Sequence, residues 1–143
     1  MQLGDARLLL EREAVAGQRQ KFDVSVLDAF TGDAVPVHLL TKEAFDTYGH
    51  LRDDNSIIAV HLSSRHINLL PVIEGIRARE NAHVLVHFSQ GSYPFLESLW
   101  VFLAKHPEAL HVQGLLPNPP PAMPEAAARL WTDDYSNIFQ LIY

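Results

Sequence analysis

Hydrophobic positions along the chain fall into short blocks that alternate between helical spacing and nearly continuous apolar runs. Residues 5–16 (DARLLLEREAVA) have helical spacing, with Leu8, Leu9 and Val15 near one face, Asp5 as N-cap and Gly17 as the stop. Residues 22–28 (FDVSVLD) read as a strand whose inner positions are apolar on both faces apart from Ser25, the pattern of a parallel strand covered by helices on both sides. A loop over Thr31–Pro36 leads to a helix over 37–49, and residues 56–62 (SIIAVHL) make a second buried strand. The helical pattern at 66–80 contains Pro71. Proline costs about 3 kcal/mol in a helix interior and is tolerated in a first turn, so this helix is expected to start near Asn68.

Residues 82–88 (AHVLVHF) and 98–104 (SLWVFLA) are the third and fourth strands, with Leu99, Trp100 and Phe102 as buried strand residues. A loop of about nine residues, with no helix, joins them, which predicts antiparallel neighbours. His106–Val112 reads as a short helix and Leu116–Pro124 as a proline-rich crossing segment. The tail (LWTDDYSNIFQLIY) ends apolar and should pack on the body, with Asp133 and Asp134 capping a last helix. The order α-β-α-β-α-β-β predicts an α/β fold in a single domain over residues 1–143. It is the C-terminal half of a doubly wound sheet, mostly parallel, ending in an antiparallel hairpin, with helices on both faces.

Composition narrows the chemistry. At 143 residues and 48% hydrophobic, the chain suits one ordinary core. Its net charge of −6, with scattered basic residues, argues against nucleic acid as a partner and tolerates a small cationic amine. With no cysteine, disulfides, thiolate metal sites and cysteine nucleophiles are excluded. No apolar run reaches about 18 residues and the N-terminus lacks a signal-peptide core, so a cytoplasmic protein with no membrane partner is expected. Eight histidines raise the question of a metal. His83 and His87, four apart on a strand, stand about 13 Å from each other, beyond one metal ion. His61 and His66 straddle a strand end and read as solvated loop histidines, so no metal is expected. Ser63, Ser64 and Ser136 lack the context of a hydrolase nucleophile.

The first residue to suspect is Asp28, because ligands of open α/β sheets sit at the carboxyl ends of strands. GDAR at 4–7, FDVSVLDAFTGDAVPVHLLTKEAF at 22–45, IIAVHLSSRH at 57–66 and LWTDDYSN at 130–137 resemble, in order, the spermidine synthase-like proteins. These are polyamine aminopropyltransferases built on the class I S-adenosylmethionine-dependent methyltransferase fold, so the resemblance implies a partial Rossmann-like methyltransferase fold. It implies a reaction as well: aminopropyl or methyl transfer to an amine from decarboxylated S-adenosylmethionine or S-adenosylmethionine. Asp28 matches the family's catalytic aspartate, which helps deprotonate the attacking amine. Asp5, with Ala6 beside it, matches the acidic residue that receives the adenine amino group, and it also reads as a plain N-cap. The family's Asp-Ser-Ser-Asp-Pro loop is here Ala29-Phe30-Thr31-Gly32-Asp33 after Asp28: the second aspartate is out of register and Asp33 lies two residues later. Asp33 and Tyr135 are the candidate substrate-binding residues. Tyr135, with Trp131, would close over a ligand mouth, and packing of the tail is the competing reading.

Only Met1 to Gln20 precede the first strand, and they hold no glycine-rich cofactor loop. Met1–Leu3 read as the end of the family's third strand, so the resemblance covers the C-terminal half of the fold. Binding of the donor is then expected to be weak or absent. A non-catalytic oligomerisation or scaffold module that keeps only the fold is the alternative. The parent fold implies the sheet order 22–28, 56–62, 98–104, 82–88. Strand 22–28 is left as a bare edge, expected to pair with a second copy as a homodimer or with another partner.

Overall fold

A computed structural model describes residues 4–17, 21–28, 36–64, 66–92, 97–112, 114–119 and 127–142. Its elements are α1 (Ala6–Val15), β1 (Phe22–Leu27), α2 (Lys42–His50), β2 (Arg52–His61), α3 (Leu70–Glu80), β3 (His83–Ser89) and β4 (Ser98–Ala104), with 3-10 turns at Val37–Leu39, Pro107–Leu110 and Ile138–Leu141. The helical pattern at 37–49 breaks in two because Thr41 is a cap: its hydroxyl accepts the Ala44 N–H at 3.3 Å and starts α2 afresh. Pro71 lies in the first turn of α3, as its missing N–H requires, and Asn81 ends that helix in the left-handed conformation (φ 50°).

The sheet order is β1-β2-β4-β3, as the resemblance to the parent fold implied. The sheet is not mostly parallel, however. β1 and β2 are parallel, while β4 runs antiparallel to both β2 and β3. The short connection after β3 returns the chain directly, and β4 inserts between the other two strands. One inserted strand thus removes every parallel contact except β1–β2.

Alternation along the strands divides the buried residues into two clusters. On one face, Ile58, Val60, Val101 and Leu103 pack under Phe45 and Tyr48 of α2 and Val72, Ile73 and Ile76 of α3, joined by Trp131 and Leu141 of the tail. On the other, Ile57, Leu85 and Ala104 meet Leu110. Helices on both faces were expected. Among the described residues, α2 and α3 bury their apolar sides in the first face. The second is covered by the turn at Pro107–Leu110 and by Leu115, which packs beside it. Over β1 that second face is open, with Val24 55% and Val26 58% exposed. α1 also departs from expectation: it buries no residue fully, Leu8 and Val15 face solvent, and Leu10 is the side chain that packs, partly buried, against the first cluster.

Candidate functional site

The parallel register of β1 and β2 builds the site. Leu27 lies beside Val60, so the next residues, Asp28 and His61, fall side by side at the carboxyl end of both strands. Asp28 Oδ1 lies 2.8 Å from His61 Nδ1. His61 is also paired with Trp100 of β4, and their rings stack with centroids 4.7 Å apart and 14° between planes. His87 of β3 pairs with the opposite side of Trp100. The row Asp28, His61, Trp100, His87 therefore crosses the end of the open face. His61 is not a solvated loop residue: it is the last residue of β2, held between a carboxylate and an indole. Asp28 keeps 52% of its side chain exposed. Trp100 and Phe102 are half-buried, because no helix lies over them among the described residues.

Asp5 caps α1 as expected. Its Oδ1 accepts the Leu8 N–H at 3.1 Å, and Oδ2 lies 3.1 Å from His38 Nε2. The Leu8 N–H is the main reason its carboxyl sits below the usual range, with His38 adding to it. Ala6 is the first residue of α1 and is exposed. Tyr135 is 60% exposed, in a turn with Thr132. Asp33 lies outside the described residues, as do Ala29 to Val35 and Met1 to Leu3. No hydrogen bond, ion pair or ring contact among the described residues joins Asp5 or Tyr135 to Asp28.

A second polar cluster was not foreseen. Asp133 does not cap a last helix, since the final helical turn begins only at Ile138. Instead its two oxygens receive both terminal nitrogens of Arg7, one at 2.7 Å. The Thr41 hydroxyl donates to Oδ1 at 2.7 Å. Arg7 also reaches the His38 carbonyl at 2.8 Å and Glu11 at 2.7 Å. The Arg7 bond, with help from Thr41, holds the Asp133 carboxyl down at about 2. These partners tie α1, the start of α2 and the tail into one lock. GDAR and TDDYSN both stood out in the sequence, but nothing in their spacing says that they touch.

The two acidic sites differ in what they leave open. The acceptor positions of Asp133 are taken by Arg7 and Thr41, whereas Asp28 presents a half-exposed carboxylate positioned by one ring nitrogen. Asp5 places one oxygen on the Leu8 N–H and the other 3.1 Å from His38. The lining of a cleft between β3 and the segments 107–112 and 114–119 includes Leu85, Leu110, Leu115 and Pro117 with His83 and His111, and contains neither Asp28 nor Asp5. Among the described residues, no three histidine or acidic side chains come together as a metal-binding group. None of the described helices is long and apolar enough to cross a membrane.

No family model matches the chain. A stretch of 40 residues is 48% identical to the polyamine aminopropyltransferase of Vibrio vulnificus (strain CMCP6), covering 28% of this chain and 13% of that protein. This partial similarity supports a spermidine synthase-like relationship and nothing finer.

Proposed function

We propose that the chain is the amine-receiving half of a spermidine synthase-like transferase domain, acting through Asp28. The observation that carries this reading is a half-exposed carboxylate at the carboxyl end of β1, held 2.8 Å from His61. An amine must be neutral before its lone pair can attack carbon. A carboxylate at a strand end attracts the ammonium, orients it and takes up its proton. His61 is a positioning residue, stacked on Trp100 so that Asp28 keeps one orientation. The net charge of −6 favours approach of a cation. The polyamine aminopropyl transfer named for the Vibrio relative supplies the substrate class. No transfer step is assigned to the described residues alone.

Calorimetric titration tests this with 1,4-diaminobutane, S-adenosylmethionine, its decarboxylated form and methylthioadenosine. The expected result is binding of the diamine that weakens at least about tenfold in Asp28→Asn, equivalent to about 1.4 kcal/mol. No heat with any of the four ligands, or diamine binding unchanged in Asp28→Asn, would overturn the proposal. Those negative outcomes would instead support a non-catalytic module that keeps only the fold.

A further inference from the structure

The carboxylate that receives the amine already has a neighbour able to carry positive charge. Asp28 Oδ1 lies 2.8 Å from His61 Nδ1. The backbone fixes this contact from both sides. The β1–β2 register brings Asp28 to one side of the ring. On the other side His61 pairs with Trp100, and the two rings stack with centroids 4.7 Å apart. His61 keeps 22% of its side chain exposed, so solvent protons reach it.

Among the described residues, the titratable groups that flank His61 across this face are few. Asp28 stands on β1. Trp100 and Phe102 of β4 carry no charge. Beyond Trp100 comes His87 of β3, whose Nδ1 lies 2.9 Å from the Leu116 carbonyl oxygen. His61 is therefore set between a carboxylate and an uncharged indole.

The charge on this pair decides what an arriving ammonium meets. With a neutral imidazole, the hydrogen bond requires a proton on Nδ1, which donates to Oδ1. The pair then keeps the full negative charge of the carboxylate. With an imidazolium the pair is a neutral salt bridge, and the ammonium competes with a cation already in contact. Alkyl ammonium groups ordinarily titrate near about 10 and carboxylates near about 4. Between about pH 5 and 8 the imidazole is the kind of group that changes charge.

We infer that amine binding at Asp28 is proton-linked through His61. The carboxylate takes the ammonium directly when the imidazole is neutral. When the imidazole is protonated, the incoming ammonium expels its proton to solvent. One cation replaces another, so the net charge of the site is the same before and after. The inference rests on the amine reading of Asp28. Linkage makes the coupling reciprocal: the factor by which protonation weakens the amine is the factor by which the amine weakens proton binding.

Calorimetric titration of the natural chain with 1,4-diaminobutane between about pH 8 and 5.5 reads the coupling. Binding should weaken at least about tenfold towards the acid end. Near pH 6 the heat should depend on the ionisation enthalpy of the buffer, because the buffer takes up the expelled proton. His61→Asn keeps a side-chain donor beside Asp28 and cannot titrate. Whatever its affinity, it should lose the pH slope, whereas His87→Gln should keep it. Nuclear magnetic resonance supplies a readout on the natural chain. Saturating diamine should move the titration midpoint of the His61 ring down by about one pH unit, the counterpart of a tenfold coupling. Diamine binding that is flat across this range, a slope that persists in His61→Asn, or a slope that vanishes in His87→Gln would overturn the inference and leave the amine reading standing. No diamine binding at any pH would overturn both.

Discussion

The two faces of the sheet are built from the same kinds of residue and end differently. Val101 and Leu103 of β4 disappear beneath α2, α3 and Trp131, whereas Val24 and Val26 of β1 remain more than half exposed on the opposite face. A strand is apolar on two faces only when something covers both. Among the described residues, the first face is closed by helices and tail, and the second only over the β3 side. The difference shows that apolar content alone does not say where a core is. It says where a cover is needed, and the cover comes from this chain or from another.

The largest expected effect lies on the closed face. Trp131 is 2% exposed, and its carbonyl accepts the Lys42 N–H at 2.9 Å, so it fastens the tail to the start of α2. Trp131→Ala should cost about 3–5 kcal/mol in chemical denaturation, a large share of a small domain's stability. A loss below about 1 kcal/mol would place the tail outside the cooperative core. Gly75→Ala comes next. A Cβ there would stand 2.1 Å from the Arg129 carbonyl oxygen, because the tail backbone lies directly on α3. Alanine should gain about 1 kcal/mol from helix propensity, yet the clash should leave the variant destabilised by about 1–3 kcal/mol in thermal unfolding. A stabilised variant would mean that the tail lifts off easily.

The lock at Asp133 gives a smaller, pH-dependent term. Its carboxyl is held at about 2 in the folded chain against an ordinary 3.8. A lowered value stabilises the fold above the unfolded value, and that stability is lost as pH falls from about 4 towards 2. The side chain is 41% exposed, so solvent screening reduces the contribution to about 1 kcal/mol. Denaturation midpoints measured across this window should fall more steeply for the natural chain than for Asp133→Asn. Equal slopes would mean that the Arg7 pair contributes nothing. The smallest effect belongs to the open face: Val26→Ala should change the stability of the isolated chain by no more than about 0.5 kcal/mol. A cost of several kcal/mol at low protein concentration would show that this face is covered after all.

The parts of the fold that the sequence predicted are those governed by near neighbours. Strand 98–104 was found with its observed bounds, Asp5 is the N-cap of α1, Pro71 sits in a first turn, and Asp28 directly follows β1. Apolar runs, caps and the missing N–H of proline act within a few residues, so the order of letters is enough to read them. The site was legible in one half only. Asp28 stood out as a strand-end carboxylate, while His61 was read as a solvated loop residue. The reason is that their contact spans 33 positions and arises from the β1–β2 register. Asp133 was likewise assigned to a local cap, although its real partner Arg7 lies 126 positions away.

By itself, then, the sequence determined the apolar strands, the helix boundaries near Asp5 and Pro71, and the presence of an acidic residue after β1. Tertiary structure alone decided that only one strand pair is parallel, that His61 reaches Asp28, and that Val24 and Val26 stay exposed. The physical division is one of range. Backbone propensity and capping are settled inside a turn or a strand, whereas strand register and face coverage depend on which distant segments arrive to pair.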